Sequence, residues 1–386
     1  MILIIPQTII FFNSRGLLLL LHQDPDVAAA TALYLKVLSI GMPGYAGFEC
    51  VRRWLQAQGL MLAPVIALTF AAPLNAVLNY FLVWGPIDAL RLGFVGAPLA
   101  TAMSMNIMFV VSLWYAIYFA PRDAWGGFSK GKSGLTSRLI VPGVLTIGPL
   151  FAEIFTDLSE NIKLGLAGTA MTASEWWSWE IIGLASSFLG PEALAAQSVL
   201  TTSASFFYQV PYALSVAGAV RVGNLLGAQR PDLARTASRV TMFVAIVIAG
   251  VNSILLLVLR HRWGRFFSSE PEVIQVVADV LPLVAAFQLV DGLSGATGGL
   301  LRGAGKSAWG AMINLLAYYA FGIPIGIAVT FAGPKLGLEG LWVGLTVALT
   351  GTGLITSVVI WRMNWEKCSE QARLRAGVAK RDIEEE

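Results

Sequence analysis

Ten stretches of this chain run close to or beyond the length of a bilayer-crossing helix with few charges, and nothing else constrains the fold as strongly. A predominantly apolar run of about 20 residues spans the hydrocarbon of a membrane as a helix. The candidates are Met1–Leu21, Leu33–Leu55, Leu60–Val83, Gly93–Ala120, Leu164–Leu189, Leu194–Ala219, Val240–Leu259, Val273–Leu300, Trp309–Ala332 and Gly337–Trp361. Composition agrees, since 56% of side chains are apolar and 13% charged. Soluble domains carry about 25% charged residues, so the polar skin a soluble fold needs is missing. The expected class is an all-α polytopic membrane protein. Its net charge of +3, with scattered basic residues, leaves no nucleic-acid footprint. Two cysteines, Cys50 and Cys368, and two loop histidines, His22 and His261, give neither a disulfide scaffold nor a metal site. No paired histidines, catalytic cysteine or phosphate loop points to an enzyme.

Lysine and arginine orient the spans, because cytoplasmic loops carry their excess. One alternating set of loops, with the tail, holds 19 basic residues and the other 5. Arg302 and Lys306 count among the 19. This bias predicts a cytoplasmic C-terminus.

The chain also repeats itself. HQDPDV (His22–Val27) returns as SSEPEV (Ser268–Val273), LQAQG (Leu55–Gly59) as LRGAG (Leu301–Gly305), and LGFVG (Leu92–Gly96) as LGLEG (Leu336–Gly340). The offsets are 246, 246 and 244 residues, in the same order. Matched blocks fall on the same side of the membrane, which predicts a parallel repeat with its axis along the membrane normal. Secondary transporters use that plan, with substrate sites near mid-membrane. The second copy holds six spans and the first four, so the offset predicts two further helices ahead of Met1. The expected organisation is an incomplete first lobe over 1–120, a cytoplasmic linker over 121–163, a second lobe over 164–361 and a charged tail over 362–386. Within the linker, Leu135–Phe151 is atypical, being apolar yet too short to span and carrying Pro142 and Pro149.

Ionisable residues at membrane depth are costly and mark function by default. Glu175 and Glu180 lie in SEWWSWE, and Asp291 lies mid-span in QLVDGLSG. Glu49, three residues before Arg52, is accounted for by an ion pair at the interface. Glu175 and Glu180 stand about 140° apart on a helix, so one lines a cavity while the other faces elsewhere. Trp179 shares the face of Glu175, and a carboxylate beside an indole attracts an organic cation. A carboxylate withdrawn from water holds a proton that an arriving cation can displace. Asp291 falls on Tyr45 in the first copy, so the two halves are electrically unequal. Gln197, Thr202 and Tyr208 on one span and Tyr318 on another are the further polar candidates for a cavity.

EWWSWE (Glu175–Glu180), YQVPYALSVAGAVRVGNLLGA (Tyr208–Ala228), GGLLRGAGK (Gly298–Lys306), YYAFGIPIGIAV (Tyr318–Val329) and GLEGLWVG (Gly337–Gly344) closely resemble the multidrug and toxic compound extrusion (MATE) family, eukaryotic type. WLQAQGLMLAPV (Trp54–Val65) is similar to the first-half counterpart. The resemblance covers nearly the whole chain. It implies a two-lobed MATE-like bundle of twelve helices, of which about ten are present here. It also implies proton- or sodium-coupled antiport of organic cations, xenobiotics or metabolites by a monomer in the vacuolar or plasma membrane, with no cofactor beyond the coupling ion. The family's carboxylates on its seventh and tenth helices match Glu175 and Asp291, and a second acid on the seventh matches Glu180. An acid that some animal members carry on the eighth helix falls at Thr202. Two readings stay open: an antiporter working by alternating access, and a truncated, transport-incompetent remnant of one.

Overall fold

The computed structural model describes residues 4–20, 25–85, 91–119 and 158–375, and every regular element in them is helical. Backbone immersed in hydrocarbon must satisfy its own N–H and C=O groups, and a helix does so within one segment. Among the described residues, seven helical stretches are long and apolar enough to cross a membrane. They are Pro25–Ala57, Leu62–Trp84, Gly93–Phe119, Pro231–Phe266, Pro271–Gly303, Ser307–Ala332 and Leu338–Trp361. The first expected span is broken into two short helices, α1 (Ile4–Phe12) and α2 (Ser14–Leu20), with Asn13 turning its side-chain amide back to Ile9 O. The expected spans beginning at Leu164 and Leu194 fall in α7 (Leu158–Ser187) and α8 (Pro191–Gly227). These are long helices whose Ser, Thr and Glu content sets them apart from the seven.

The chain divides into two units, Met1–Leu150 and Phe151–Glu386. Most of the expected linker, with all of 135–151, lies outside the described residues. Its last residues, 158–163, are the opening turns of α7.

In the first unit, α3 (Pro25–Leu38) runs through a 3₁₀ turn into α4 (Met42–Ala57), followed by α5 (Leu62–Asn79) and α6 (Gly96–Phe119). Gly41, Gly44 and Gly47 lay one face of this segment on α6, where added Cβ atoms would strike Ala102, Asn106 and Phe109. Such small-residue seams let membrane helices approach closely. Glu49 pairs with Arg52 at 2.6 Å.

The second unit is built around α10 (Pro271–Gly303), which α8, α9 (Pro231–Trp263) and α13 (Leu338–Trp361) enclose. Where α8 crosses α10, Cβ atoms on Gly299 and Gly303 would run into the backbone of Ser215 and Ala219. Pro211 interrupts α8. A proline inside a helix frees the carbonyl four residues earlier, here that of Phe207. Asn252 of α9 donates its side-chain amide to that carbonyl at 3.0 Å. After α11 (Ser307–Leu315) the helix widens into a π-helical segment, Leu316–Gly322, ahead of Pro324 in α12 (Ile323–Ile327). The wider turn accommodates the amide that Pro324 lacks.

Beyond α13 the expected tail forms α14 (Trp365–Arg375). Its Trp365 and Cys368 bury themselves among Leu225, Leu226, Ala234, Leu301 and Ala304. Gln229 donates to Ser369 O at 2.8 Å, Ser369 Oγ to Leu226 O at 3.2 Å, and Lys306 Nζ to Gln371 Oε1 at 2.9 Å.

The three repeated sequence blocks carry matching backbone landmarks. Pro25 and Pro271 each open a segment of 33 residues, Pro25–Ala57 and Pro271–Gly303. Gly59 and Gly305 both take positive φ, +80° and +67°, as do Gly93 and Gly337 at +57° and +58°. Each is a turn that a side chain would strain.

Candidate functional site

On α10, Asp291, Gly295, Gly298 and Arg302 follow one another at spacings of four, three and four residues. That register keeps them on one helical face. The two glycines leave a slot between the acid and the base. Tyr208 of α8 fills one side, its hydroxyl 2.8 Å from where a Cβ on Gly295 would stand. Met171 of α7 closes in at 2.8 Å from the same point on Gly298.

What remains open is a cavity of about 20 Å³, room for a single water. Glu175, one turn beyond Met171 on α7, lines it together with Tyr208, Ser294, Arg302, Asn314, Thr352 and Thr356. Asp291 is 6% exposed beside it, and the charge of Glu175 reaches Asp291, Tyr208 and Tyr318. Neither carboxylate accepts a hydrogen bond from any described residue, and neither forms an ion pair with one. Around them three further buried polar atoms lack partners: the Tyr318 hydroxyl, Asn314 Oδ1 and Thr352 Oγ1. Buried polar groups are normally satisfied by protein or ordered water. A pocket with this many open acceptors is therefore suited to a water, a proton or a small cation.

The walls are better tied. Asn314 Nδ2 donates to Met171 O at 3.2 Å, Tyr319 Oη to Ser174 O at 3.1 Å, and Thr297 and Thr356 share a 2.7 Å hydrogen bond. These contacts hold α7 to α11 and the π-helical segment, and α10 to α13, which sets the position of Glu175.

The structure brings Glu175, Asp291, Tyr208 and Tyr318 together. Glu180 is exposed and does not line the cavity, as its angular separation from Glu175 requires. Thr202 is likewise exposed, its hydroxyl donating to Ser198 O at 2.8 Å. Trp179 packs edge-on into a three-ring cluster with Phe287 and Trp342, at centroid distances of 5.4 and 5.6 Å. Gln197 is buried in the same wall, accepting from Trp342 Nε1 at 2.9 Å and donating to Thr201 Oγ1 at 3.1 Å. Both hold the bundle beside the cavity and neither lines it. Sequence reasoning missed Met171, Thr352, Thr356 and above all Arg302. The register from Asp291 to Arg302 was the signal available for the last.

Comparison with known proteins follows the same lines. A family model described as MatE matches residues 1–81 and 169–328. An uncharacterized transporter of Schizosaccharomyces pombe is 35% identical over 97% of this chain and 66% of its own length. Multidrug and toxin extrusion protein 2 of Mus musculus is 35% identical over 97% of this chain and 61% of its own. The chain thus spans about two-thirds or less of the length of these curated relatives. Among solved structures, the eukaryotic MATE transporter AtDTX14 superposes with a TM-score of 0.81 at 29% identity, covering 97% of this chain and 78% of that one. A Vibrio cholerae MATE transporter shares the fold with a TM-score of 0.77 at 18% identity, over 94% and 77% of the two chains.

Proposed function

Because this chain belongs to the MatE family of transporters, we propose that it is a secondary antiporter that exports small organic cations or metabolites in exchange for protons or sodium ions. Glu175 and Asp291 are the coupling carboxylates. The observation that carries this reading is a one-water cavity lined by Glu175 with Asp291 beside it, neither acid bonded to any described residue. A proton or a cation entering that cavity meets negative charge and unpaired oxygens. Two cations competing for one pair of acids is the elementary requirement of exchange. The ligands must also bind the two facing states unequally for one gradient to drive the other. Tyr208 completes the lining on the side of α8, and Tyr318 of the π-helical segment stands outside it, buried within reach of both acids. Trp179 and Gln197 brace the wall through Trp342. Glu180 and Thr202 lie outside it, on exposed positions of α7 and α8.

In this reading the chain is a monomer of about ten spans with a parallel internal repeat and a cytoplasmic C-terminus, in the vacuolar or plasma membrane. The matched landmarks at Pro25 and Pro271 and at the four left-handed glycines support the repeat.

Reconstituted vesicles loaded with the fluorescent cation ethidium test the proposal. An imposed pH or sodium gradient is expected to drive efflux through the wild-type chain. Glu175→Gln is expected to abolish the gradient dependence while the protein stays inserted. Unchanged gradient dependence in that variant refutes the role of Glu175. A wild-type chain that inserts but moves no cation under either gradient favours the transport-incompetent reading.

A further inference from the structure

Among the described residues, Arg302 is the one basic side chain lining the carboxylate cavity. It sits at the mouth, exposed, about 16 Å along α10 from Asp291 on the same face. Its present partners are weak for a guanidinium. Nη2 donates to Ser215 Oγ at 3.0 Å, while Ser215 Oγ itself donates to Gly295 O at 2.7 Å. Nη1 lies 4.0 Å from the thioether of Met171. Neither partner carries charge. Guanidinium groups make their strong bonds to carboxylates, often through two parallel N–H donors. Such a carboxylate is at hand: Glu175 lines the same cavity, the field of Arg302 reaches it, and yet the two form no ion pair. An acid and a base thus line one small cavity, the acid unbonded and the base on neutral partners. An unpaired ionised carboxylate at membrane depth is costly, so this separation is stable only while Glu175 is neutralised by something else.

We propose that Arg302 is a resident cation, a positioning residue that crosses the cavity to pair with Glu175 when neither proton nor substrate occupies it, and withdraws to Ser215 and Met171 when one does. This rests on Glu175 being a coupling carboxylate. Arg302 then competes with both transported ligands for the same charge and assists the release of each. Among the described residues, the other titratable groups facing Glu175 are Tyr208 from α8, Asp291 from α10 and Tyr318 from the π-helical segment. The facing side chains of α11 and α13, Asn314, Thr352 and Thr356, are neutral.

The experiment is equilibrium ethidium binding and proton-driven ethidium efflux by the full chain in vesicles, across pH. With its competitor removed, Arg302→Gln is expected to bind ethidium about tenfold more tightly. Its KM and kcat should fall together. The pH at half-maximal binding is expected to move upward by about one unit, because the proton also loses a rival. Arg302→Lys, which keeps the charge, is expected to restore most of the wild-type profile. Ser215→Ala removes the parking place, and so is expected to weaken ethidium binding, the opposite sign. In a Glu175→Gln background, Arg302→Gln is expected to change ethidium affinity no further.

Unchanged affinity and pH midpoint in Arg302→Gln, with Glu175→Gln still uncoupled, overturns the resident-cation role and leaves the antiport reading standing. Coupling that survives Glu175→Gln overturns the antiport reading itself. If Arg302→Gln fails to insert, the Ser215→Ala arm decides, and affinity that is unchanged or tighter there overturns the proposal.

Discussion

Asn252 shows how a single side chain from a neighbouring helix satisfies a carbonyl that a proline leaves open. Pro211 leaves Phe207 O without its helical donor, and the Asn252 amide supplies one from α9. Alanine at 252 would strand a buried carbonyl in a setting where water is scarce. Asn252→Ala is expected to lower stability by about 1–3 kcal/mol, seen as a depressed unfolding midpoint in detergent. Asn252→Asp, which cannot donate when ionised, is expected to do no better. The acids differ from this pattern, for they are among the polar groups the fold leaves open. Glu175 and Asp291 stood out in the sequence because charge in an apolar run is conspicuous. Their lack of partners did not, since it depends on which side chains four other helices bring or withhold.

At the scale of the element, the face of α10 from Asp291 to Arg302 is defined by atoms it lacks. Gly295 and Gly298 hold the slot open, and any side chain on the first meets the Tyr208 hydroxyl at 2.8 Å. Gly295→Ala is expected to reduce ethidium transport several-fold with the protein still inserted. Tyr208→Phe added to it removes the colliding oxygen and is expected to recover part of the loss. A double variant no better than the single would show that the glycine serves some other contact. This face was half legible. Asp291 is conspicuous in the sequence as a charge inside an apolar run, whereas Arg302, eleven residues on, looks there like a loop charge. Its position near the end of an apolar run looked like an ordinary membrane flank, and the helix in fact continues to Gly303. The π-helical segment was not legible at all. A widened turn leaves the residue pattern unchanged and arises from Pro324 together with the packing of Gly322 and Gly326 against Gly344.

For the whole molecule, composition and repeat were readable because both are properties of long stretches, in which single misjudged boundaries average out. What the sequence did not show was the turn at Asn13, where the structure divides the first apolar run into two short helices. Orientation belongs to this scale too. An epitope placed after Glu386 is expected to be stained in intact cells only once the membrane is permeabilised, or to face the cytosol in isolated vacuoles. Staining from the opposite side would reverse the assignment drawn from 19 basic residues against 5. The short helix α14 bears on how such a molecule moves. By joining the ends of α8, α9 and α13 to the turn after α10, it removes their separate degrees of freedom. A displacement that reaches one of these ends is shared by all, as in a linkage with a welded joint. Compliance must then lie further along the helices, at Pro211 and the π-helical segment, and that places the knees of the machine level with its carboxylates rather than at its rim.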